Sequence, residues 1–249
     1  MKSTFAPAVP GQASGVPLPR VKPRFYVYMA VLMTAIVLGG FWPSYYGPLL
    51  RGAASRPWVL HVHGAIFMGW MVLLMTQVAL VVTGRTAAHR KLGRFGIGYG
   101  VLVFVMGLVV SFAAPLLHLA AGEWPMDQAA GFLIIPLGDM VLFGGFFGAA
   151  IVYRRKPEIH KRLIVLATVA LLFAAIGRLS FVLGRGPIAL LAWLSPLLVA
   201  MGYDGVVSRR VHRTYVIGLV LLLIGFTRVL FTESEWWLRI GRALLRPLI

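Results

Sequence analysis

Long apolar runs, separated by short segments rich in Lys and Arg, occupy most of this chain. An apolar run of about 18 or more residues is long enough to cross a bilayer as a helix. Seven runs reach this length: Phe25–Tyr46, Trp58–Thr83, Phe95–Ala120, Gly131–Tyr153, Leu163–Leu183, Ile188–Val207 and Thr214–Phe231. Backbone amides in hydrocarbon need partners within their own segment, and the runs lack the apolar–polar alternation of barrel strands. The pattern predicts an all-α polytopic membrane protein, a bundle of seven transmembrane helices over residues 25–231.

The Lys and Arg residues are divided unevenly between the two sides of this bundle. Sixteen of the 24 fall within residues 1–24, 85–94, 154–162 and 209–213, on one side of the alternating spans, and only six fall on the other side. Cytoplasmic loops carry the excess of basic residues in membrane proteins. The distribution predicts that the N-terminus lies inside the cell and the C-terminus outside.

The two terminal segments differ from the spans. Residues 1–24 are rich in Pro, Ala, Gly and Ser and lack the apolar stretch of a signal peptide, so we interpret them as a disordered cytoplasmic tail. Residues 232–249 place apolar side chains every four residues, at Trp236, Ile240, Leu244 and Leu248, with arginines on the opposite side. This spacing predicts an amphipathic helix that lies at the membrane interface.

Composition excludes several classes of protein. Hydrophobic residues make up 59% of the chain and charged residues only 12%, which is unlike a soluble or a disordered protein. The chain has no cysteine, which excludes disulfides and thiolate metal sites. The net charge of +17 follows from the basic loops, so we expect a lipid bilayer as the partner and no nucleic acid; a membrane protein partner is left open.

Four ionisable residues lie within the predicted spans, where such groups are costly and usually mark a site or a buried pair. Asp139, Arg178 and Arg228 fall at similar heights in the outer half of the bundle, and we expect a buried pair between Asp139 and Arg178. This pair has either a structural role or a role toward a substrate or a proton. Asp204 lies near the inner end, where contact with Arg209 and Arg210 is expected to satisfy it.

The histidines form an outer and an inner group. His61, His63 and His118 lie at the outer ends of two successive spans, whereas His89, His160 and His212 lie in the inner basic loops, where lipid headgroups offer sufficient contacts. Because His63 and His118 lie at one depth on neighbouring spans, we favour them as ligands of haem b or a transition metal, with His61 as an alternate. Arg178 and Arg228 are then candidates for binding an anionic group such as a haem propionate.

Two stretches carry a resemblance to a known group. The first stretch is HVHGAIFMGWMVLLMTQVALVVTGRTAAHRKLGRFG, and the second is HKRLIVLATVALLFAAIGR. Together they resemble a group of uncharacterised bacterial multi-pass membrane proteins, the DUF2306-type membrane proteins, over about residues 58–180. The resemblance implies location in the bacterial inner membrane and carries no established activity or catalytic residues.

Three hypotheses for function follow from the sequence. The first is a redox or metal-associated membrane protein built on the outer histidines. The second is a small-molecule or proton-coupled carrier, in which Asp139 and Arg178 form a pair that opens on binding. The third is an accessory or assembly subunit whose polar groups only hold its own helices together. Whether the protein is an enzyme is left open, since no hydrolase, nucleotide-binding or zinc-protease motif is present.

Overall fold

The computed structural model describes residues 23–52, 56–179 and 187–249, and over these residues the only regular structure is helical. The helices are α1 (Pro23–Phe41), α2 (Gly47–Leu50), α3 (Trp58–Val82), α4 (Thr86–Ala120), α5 (Met126–Phe132), α6 (Ile134–Val152), α7 (Pro157–Leu171), α8 (Phe173–Arg178), α9 (Pro187–Ser208), α10 (Arg213–Phe226) and α11 (Glu235–Leu245). The predicted tail at residues 1–24 lies almost wholly outside the described residues.

Seven segments are long and apolar enough to cross a membrane, which confirms the predicted all-α bundle of seven spans. They are Arg24–Leu50, Trp58–Val82, Thr86–Ala120, Met126–Val152, Pro157–Arg178, Pro187–Ser208 and Arg213–Phe231. The third begins nine residues earlier than predicted, because the basic segment that contains His89 continues the helix instead of forming a loop. The orientation of the termini relative to the two sides of the membrane stays a prediction.

The two ends of the bundle carry different chemistry, and each is named here after one arginine. The Arg56 end contains residues 50–52, 56–58 and 120–126 and the C-terminal helix α11. The Arg162 end contains the turns at residues 83–85, 153–156 and 209–212. If the predicted orientation holds, the Arg56 end is the outer one.

Several spans are interrupted along their length. The first passes from α1 through a π-helical turn at Trp42–Tyr46, which contains Pro43, into the short helix α2. The fifth is broken at Leu172, between α7 and α8, where the Leu172 amide donates to the Val169 carbonyl three residues back. The seventh ends in a 3₁₀ turn at Thr227–Phe231. Proline cannot donate a backbone hydrogen bond, which accounts for the first interruption; the break at Leu172 contains neither proline nor glycine.

Helix α7 is the most enclosed helix of the bundle. Eight of its residues are buried, from Arg162 to Ala170, and it packs against α6, α9 and α10. A helix that is covered on most sides belongs at the centre of a bundle. The short helix α8 continues the same span and crosses α1 closely. This central span therefore reaches both ends of the protein.

The C-terminal helix α11 docks on α5. Its buried side chains are Leu238 and Leu245, which pack against Ala129, Ala130 and Leu133. The Trp237 indole also donates to the Ala130 carbonyl oxygen at 3.0 Å. The apolar face predicted from the sequence, at Trp236, Ile240, Leu244 and Leu248, is exposed. That face is the one available to lipid, and the interfacial position of the helix stays a prediction.

The crossing of α1 and α8 makes a specific demand at one of two adjacent glycines. A Cβ atom on Gly40 would collide with the carbonyl oxygen of Ala175, whereas a Cβ atom on Gly39 would meet no atom within 4 Å. We expect Gly40→Ala to destabilise the protein by about 1–3 kcal/mol, as overpacked positions do. Gly39→Ala is the matched control and should be neutral or stabilising, because alanine is the better helix former. Unfolding in mixed micelles measures both, and equal effects would contradict the close crossing.

Candidate functional site

A cavity of about 140 Å³ lies between the first, second and fifth spans. Its walls come from residues 37–46, 56–71 and 168–178. It reaches the surface at the Arg56 end, where Arg56 and Arg178 are exposed. Its deepest lining residues include Trp70, which lies twelve residues beyond the start of α3, or about 18 Å along the helix axis. The cavity thus extends from one end of the bundle to about its middle.

Both interruptions described for the first and fifth spans border this cavity. Ser44, Tyr45 and Tyr46 line it from the π-helical turn, and Leu172 lines it from the break between α7 and α8. Irregular backbone inside a membrane is tolerated where it is buried in protein or lines a cavity. Single π-helical turns are also frequent at functional sites. The position of the cavity therefore matches the irregular parts of the fold.

Two residues that line the cavity have a polar atom without a hydrogen-bond partner among the described residues. These atoms are the Ser44 hydroxyl oxygen and His63 Nδ1, both of which are buried. A buried polar atom without a partner costs free energy, so each such atom calls for a ligand, a water or a functional reason. The indole of Trp70 is satisfied, since it donates to the Thr168 hydroxyl at 3.3 Å. The cavity is therefore lined by two residues with an unpaired polar atom, whereas the Trp70 indole in its deeper part already has a partner.

The charge of the cavity is positive. Arg178 holds its guanidinium 4.3 Å from the centre of the Phe41 ring and donates one hydrogen bond, at 2.8 Å, to the carbonyl of Ala174 in its own helix. Arg178 lies close enough to His63 for an electrostatic interaction, and Arg56 lies close enough to Arg178 for the two positive charges to repel each other. Among the described residues, no carboxylate lines the cavity and neither arginine has an ion-pair partner.

The predicted pair of Asp139 with Arg178 is wrong. Asp139 forms its ion pair with Arg228, and both side chains are buried. Arg228 also donates to the carbonyl of Gly225 at 2.6 Å and stacks on Phe173, at 4.7 Å from the ring centre. All three ionisable groups lie toward the Arg56 end of the bundle, but the seventh span, and not the fifth, faces Asp139. The terminal nitrogens of Arg228 therefore have partners within the protein.

The outer histidines do not share one site. His118 Nδ1 lies 2.5 Å from a carboxylate oxygen of Glu123, and its ring stacks on Trp124. His61 Nδ1 lies 2.8 Å from the hydroxyl of Tyr45, and only His63 lines the cavity. Within the described ranges, no group of three or more His, Asp or Glu side chains is placed to hold a metal ion. The haem or metal hypothesis for His63 and His118 thus finds no ligand set here.

A buried ion network closes the Arg162 end. Arg162 binds Asp204 through two hydrogen bonds, from Nε to Oδ2 at 3.0 Å and from a terminal nitrogen to Oδ1 at 2.7 Å. Its other terminal nitrogen donates to the Glu158 carboxylate at 2.8 Å. The side chains of Arg162 and Asp204 are only 3% and 2% exposed. Glu158, Arg162 and Asp204 are called the Arg162 lock below. Asp204 therefore contacts Arg162 and not, as predicted, Arg209 and Arg210.

The Arg162 lock, together with the adjacent Lys161, joins four spans. Arg162 and Glu158 belong to α7, Asp204 belongs to α9, and the backbone amide of His212, at the start of α10, donates to Asp204 at 3.3 Å. Lys161 shares the Glu158 carboxylate at 2.8 Å and lies 5.2 Å from the centre of the Tyr26 ring of α1. The first span is also held there by the stacking of Phe25 on Tyr203. The helices are thus fastened together opposite the open cavity.

Each inner histidine contacts a different group, and His89 and His160 also lie close enough to interact electrostatically. His89 contacts the Gln77 amide, His160 Nδ1 lies 2.8 Å from the Ala150 carbonyl oxygen, and His212 Nδ1 accepts a hydrogen bond from the Thr214 amide at 3.2 Å. Burial, and next the charge of Arg162, lowers the pKa of His212 from its ordinary value. The neutral ring that results is the form that can accept the hydrogen bond of the helix cap.

Sequence reasoning missed Arg162, Ser44 and Thr168. Arg162 follows a basic segment and was assigned to a loop, although helix α7 begins five residues earlier, at Pro157. The signal that could have identified Arg162 is its position about one and a half helical turns after Pro157, where the helix begins. Ser44 and Thr168 carry no sequence signal, because single hydroxyl residues are common in membrane helices.

Comparison with known proteins gives no match to this chain among family models, curated proteins or solved structures, so the resemblance to the DUF2306-type group stays a prediction.

Proposed function

We propose that this integral membrane protein is a carrier that takes a small molecule into the cavity at its Arg56 end. The observation that supports this most directly is the contrast between the two ends of the central span. At one end α8 borders an open cavity with unpaired polar groups, and at the other end α7 is held by the Arg162 lock. A carrier in one of its two states has this arrangement, with access from one side and closure on the other.

The interrupted spans support the proposal further. Binding sites of many carriers lie near the middle of the membrane and are formed by discontinuous helices. Here the cavity reaches the middle of the bundle and lies against the π-helical turn and the break at Leu172. Helix α8 is a segment of six residues beyond the break, and it carries Arg178. A ligand that binds Arg178 would therefore act directly on the junction between α8 and the locked helix α7.

The Arg162 lock is suited to act as the closed gate of such a carrier. A buried ion pair contributes little net stability compared with apolar packing, because desolvation opposes the attraction between the charges. Its better-attested use is to select one arrangement of the helices, and to allow a second arrangement when the pair is broken. Opening the bundle at this end requires separation of α7 from α9, which is the contact that Arg162 and Asp204 make.

A metal ion bound by His63 is less well supported by the same cavity. His63 is the one lining residue of the predicted ligand set, and its neighbour is the cation Arg178. A positive charge at that position repels a metal cation, whereas it attracts an anion. Location in the bacterial inner membrane, with the cavity on the outer side, belongs to this proposal and rests on the distribution of Lys and Arg.

The chain has no cysteine, so a single introduced cysteine is the one thiol that a maleimide can label in it. Its labelling then shows from which side of the membrane the cavity is accessible. Ser44→Cys is close in size to the native residue and places a thiol in the cavity. A membrane-impermeant maleimide is applied to intact cells and to inverted membrane vesicles. We expect the cysteine to react from the side of the Arg56 end only. When Arg162→Gln and Asp204→Asn are added together, reactivity from the opposite side should appear, because the lock no longer holds that end closed.

Two controls separate this result from unfolding. Gln128→Cys, which is exposed at the Arg56 end, should react from that side alone in both backgrounds. Arg242→Gln with Asp127→Asn removes an exposed ion pair of the same composition and should leave the reactivity of Ser44→Cys unchanged. Reaction of Ser44→Cys from one side in every background would contradict the carrier proposal.

A further inference from the structure

The cavity also indicates the chemical class of its ligand. We infer that the ligand is a small organic anion, with a carboxylate or a similar oxyacid group on an apolar body about the size of one aromatic ring. This inference rests on the proposed function, because it concerns the ligand of the same cavity. It is argued below from charge, hydrogen bonding and size.

The charge of the cavity is not balanced by the protein. Arg56 and Arg178 both line it, and within the described ranges no carboxylate does. Most acidic side chains of the protein are paired elsewhere: Glu123 with His118, Asp127 with Arg242, Asp139 with Arg228, and Glu158 and Asp204 with Arg162. Two cations at the mouth of a partly enclosed site attract an anion, and the low dielectric of the surroundings strengthens that attraction.

The hydrogen-bonding groups suit an oxyanion. The Arg178 guanidinium has five N–H donors, of which the described contacts use one, toward the Ala174 carbonyl. The Ser44 hydroxyl and the His63 ring are both able to donate, and among the described residues the Ser44 oxygen and His63 Nδ1 have no partner. Carboxylate and phosphate oxygens accept several such donors at once, and these charge-assisted hydrogen bonds are the strong ones.

The rest of the cavity is apolar and small. Phe67, Met68, Met71 and Leu171 line its deeper part. Its volume of about 140 Å³ is close to that of a cavity known to hold benzene, about 150 Å³. Methionine side chains adapt to irregular apolar shapes, so the site tolerates a ring or a short branched chain. A phospholipid headgroup with its glycerol does not fit below the arginines, which favours a free organic acid over a bound lipid.

Equilibrium dialysis of the purified full chain in detergent tests this inference, with radiolabelled benzoate as the probe. Benzyl alcohol and benzylamine match benzoate in size but are neutral and cationic. We expect benzoate to bind and each of the other two to compete about tenfold less well or worse, because they lose the charge-assisted hydrogen bonds. Inorganic phosphate and phosphatidylglycerol micelles serve as competitors that represent a free oxyanion and a lipid headgroup.

Variants locate the binding. Arg178→Gln and Arg56→Gln should each weaken benzoate binding about tenfold, and Arg178→Lys should keep part of the affinity because it retains the charge. Arg51→Gln is the matched control, since it removes an exposed arginine at the same end that does not line the cavity. Monodisperse elution of each variant shows that the fold is retained.

Three results would overturn the inference: equal competition by benzyl alcohol, equal loss in Arg51→Gln, or the absence of benzoate binding whatever phosphate or phosphatidylglycerol does. None of them decides the carrier proposal, because the accessibility of Ser44→Cys is measured without any ligand. Failure of the ligand class and failure of the proposed function are therefore distinguishable.

Discussion

Replacing Arg228 by methionine is expected to lower the free energy of unfolding by about 3–5 kcal/mol, because the change leaves the Asp139 carboxylate buried without its partner. The Asp139 side chain is only 6% exposed, so water cannot replace the guanidinium. Arg228 also packs against Gly138 and Phe173, and these contacts tie the seventh span to α6 and α8. Unfolding in mixed micelles, followed by tryptophan fluorescence, measures the loss.

Two further variants show whether the loss comes from the unpaired charge. Adding Asp139→Leu to Arg228→Met removes both charges and should recover most of the stability, because apolar side chains replace buried ion pairs at little cost. Arg242→Met breaks an ion pair with Asp127 that is exposed to water, and it should change the stability little. A single variant as stable as the native protein would mean that Asp139 and Arg228 are not paired.

A loss of similar size, about 3–5 kcal/mol, is expected for Arg162→Met at the opposite end. The change removes both hydrogen bonds to Asp204, whose side chain is 2% exposed, and the one to the Glu158 carboxylate. The amide of His212 still donates to Asp204 but carries no full positive charge. We expect a lower midpoint of thermal unfolding in detergent as well as a smaller free energy of unfolding.

The adjacent residue provides the control for Arg162. Lys161→Met removes a cation that shares the same Glu158 carboxylate but is 23% exposed, and it should cost about 1 kcal/mol or less. Asp204→Leu added to Arg162→Met should recover most of the loss, as for the pair at the other end. If Lys161→Met and Arg162→Met were equally destabilising, the lock would not be centred on Arg162.

The spans could be predicted from the sequence because the requirement for apolar residues in lipid is strict. The same requirement gave the approximate depth of Asp139, Arg178 and Arg228, since each residue advances a helix by a fixed rise. It does not determine which spans are neighbours. Two arginines lie at the depth of Asp139, and only the packing of the seventh span against α6 selects Arg228.

The cavity could not be predicted for a related reason. Its uncharged polar groups include single serine, histidine and threonine residues from three separate spans, and two interruptions of the helices border it. Pro43 and Pro48 signal the first interruption, but the segment around Leu172 reads as a continuous helix. Helix propensity is weak compared with packing, so a break of this kind cannot be recognised from the sequence alone.

The most direct test of the carrier account is the side from which the Ser44→Cys thiol reacts. The account predicts modification from the side of the Arg56 end alone in the otherwise native chain, and from both sides once Arg162→Gln and Asp204→Asn open the lock. Modification from the same single side in both backgrounds, with the fold intact, would contradict the account and leave the cavity as a binding site without a second opening.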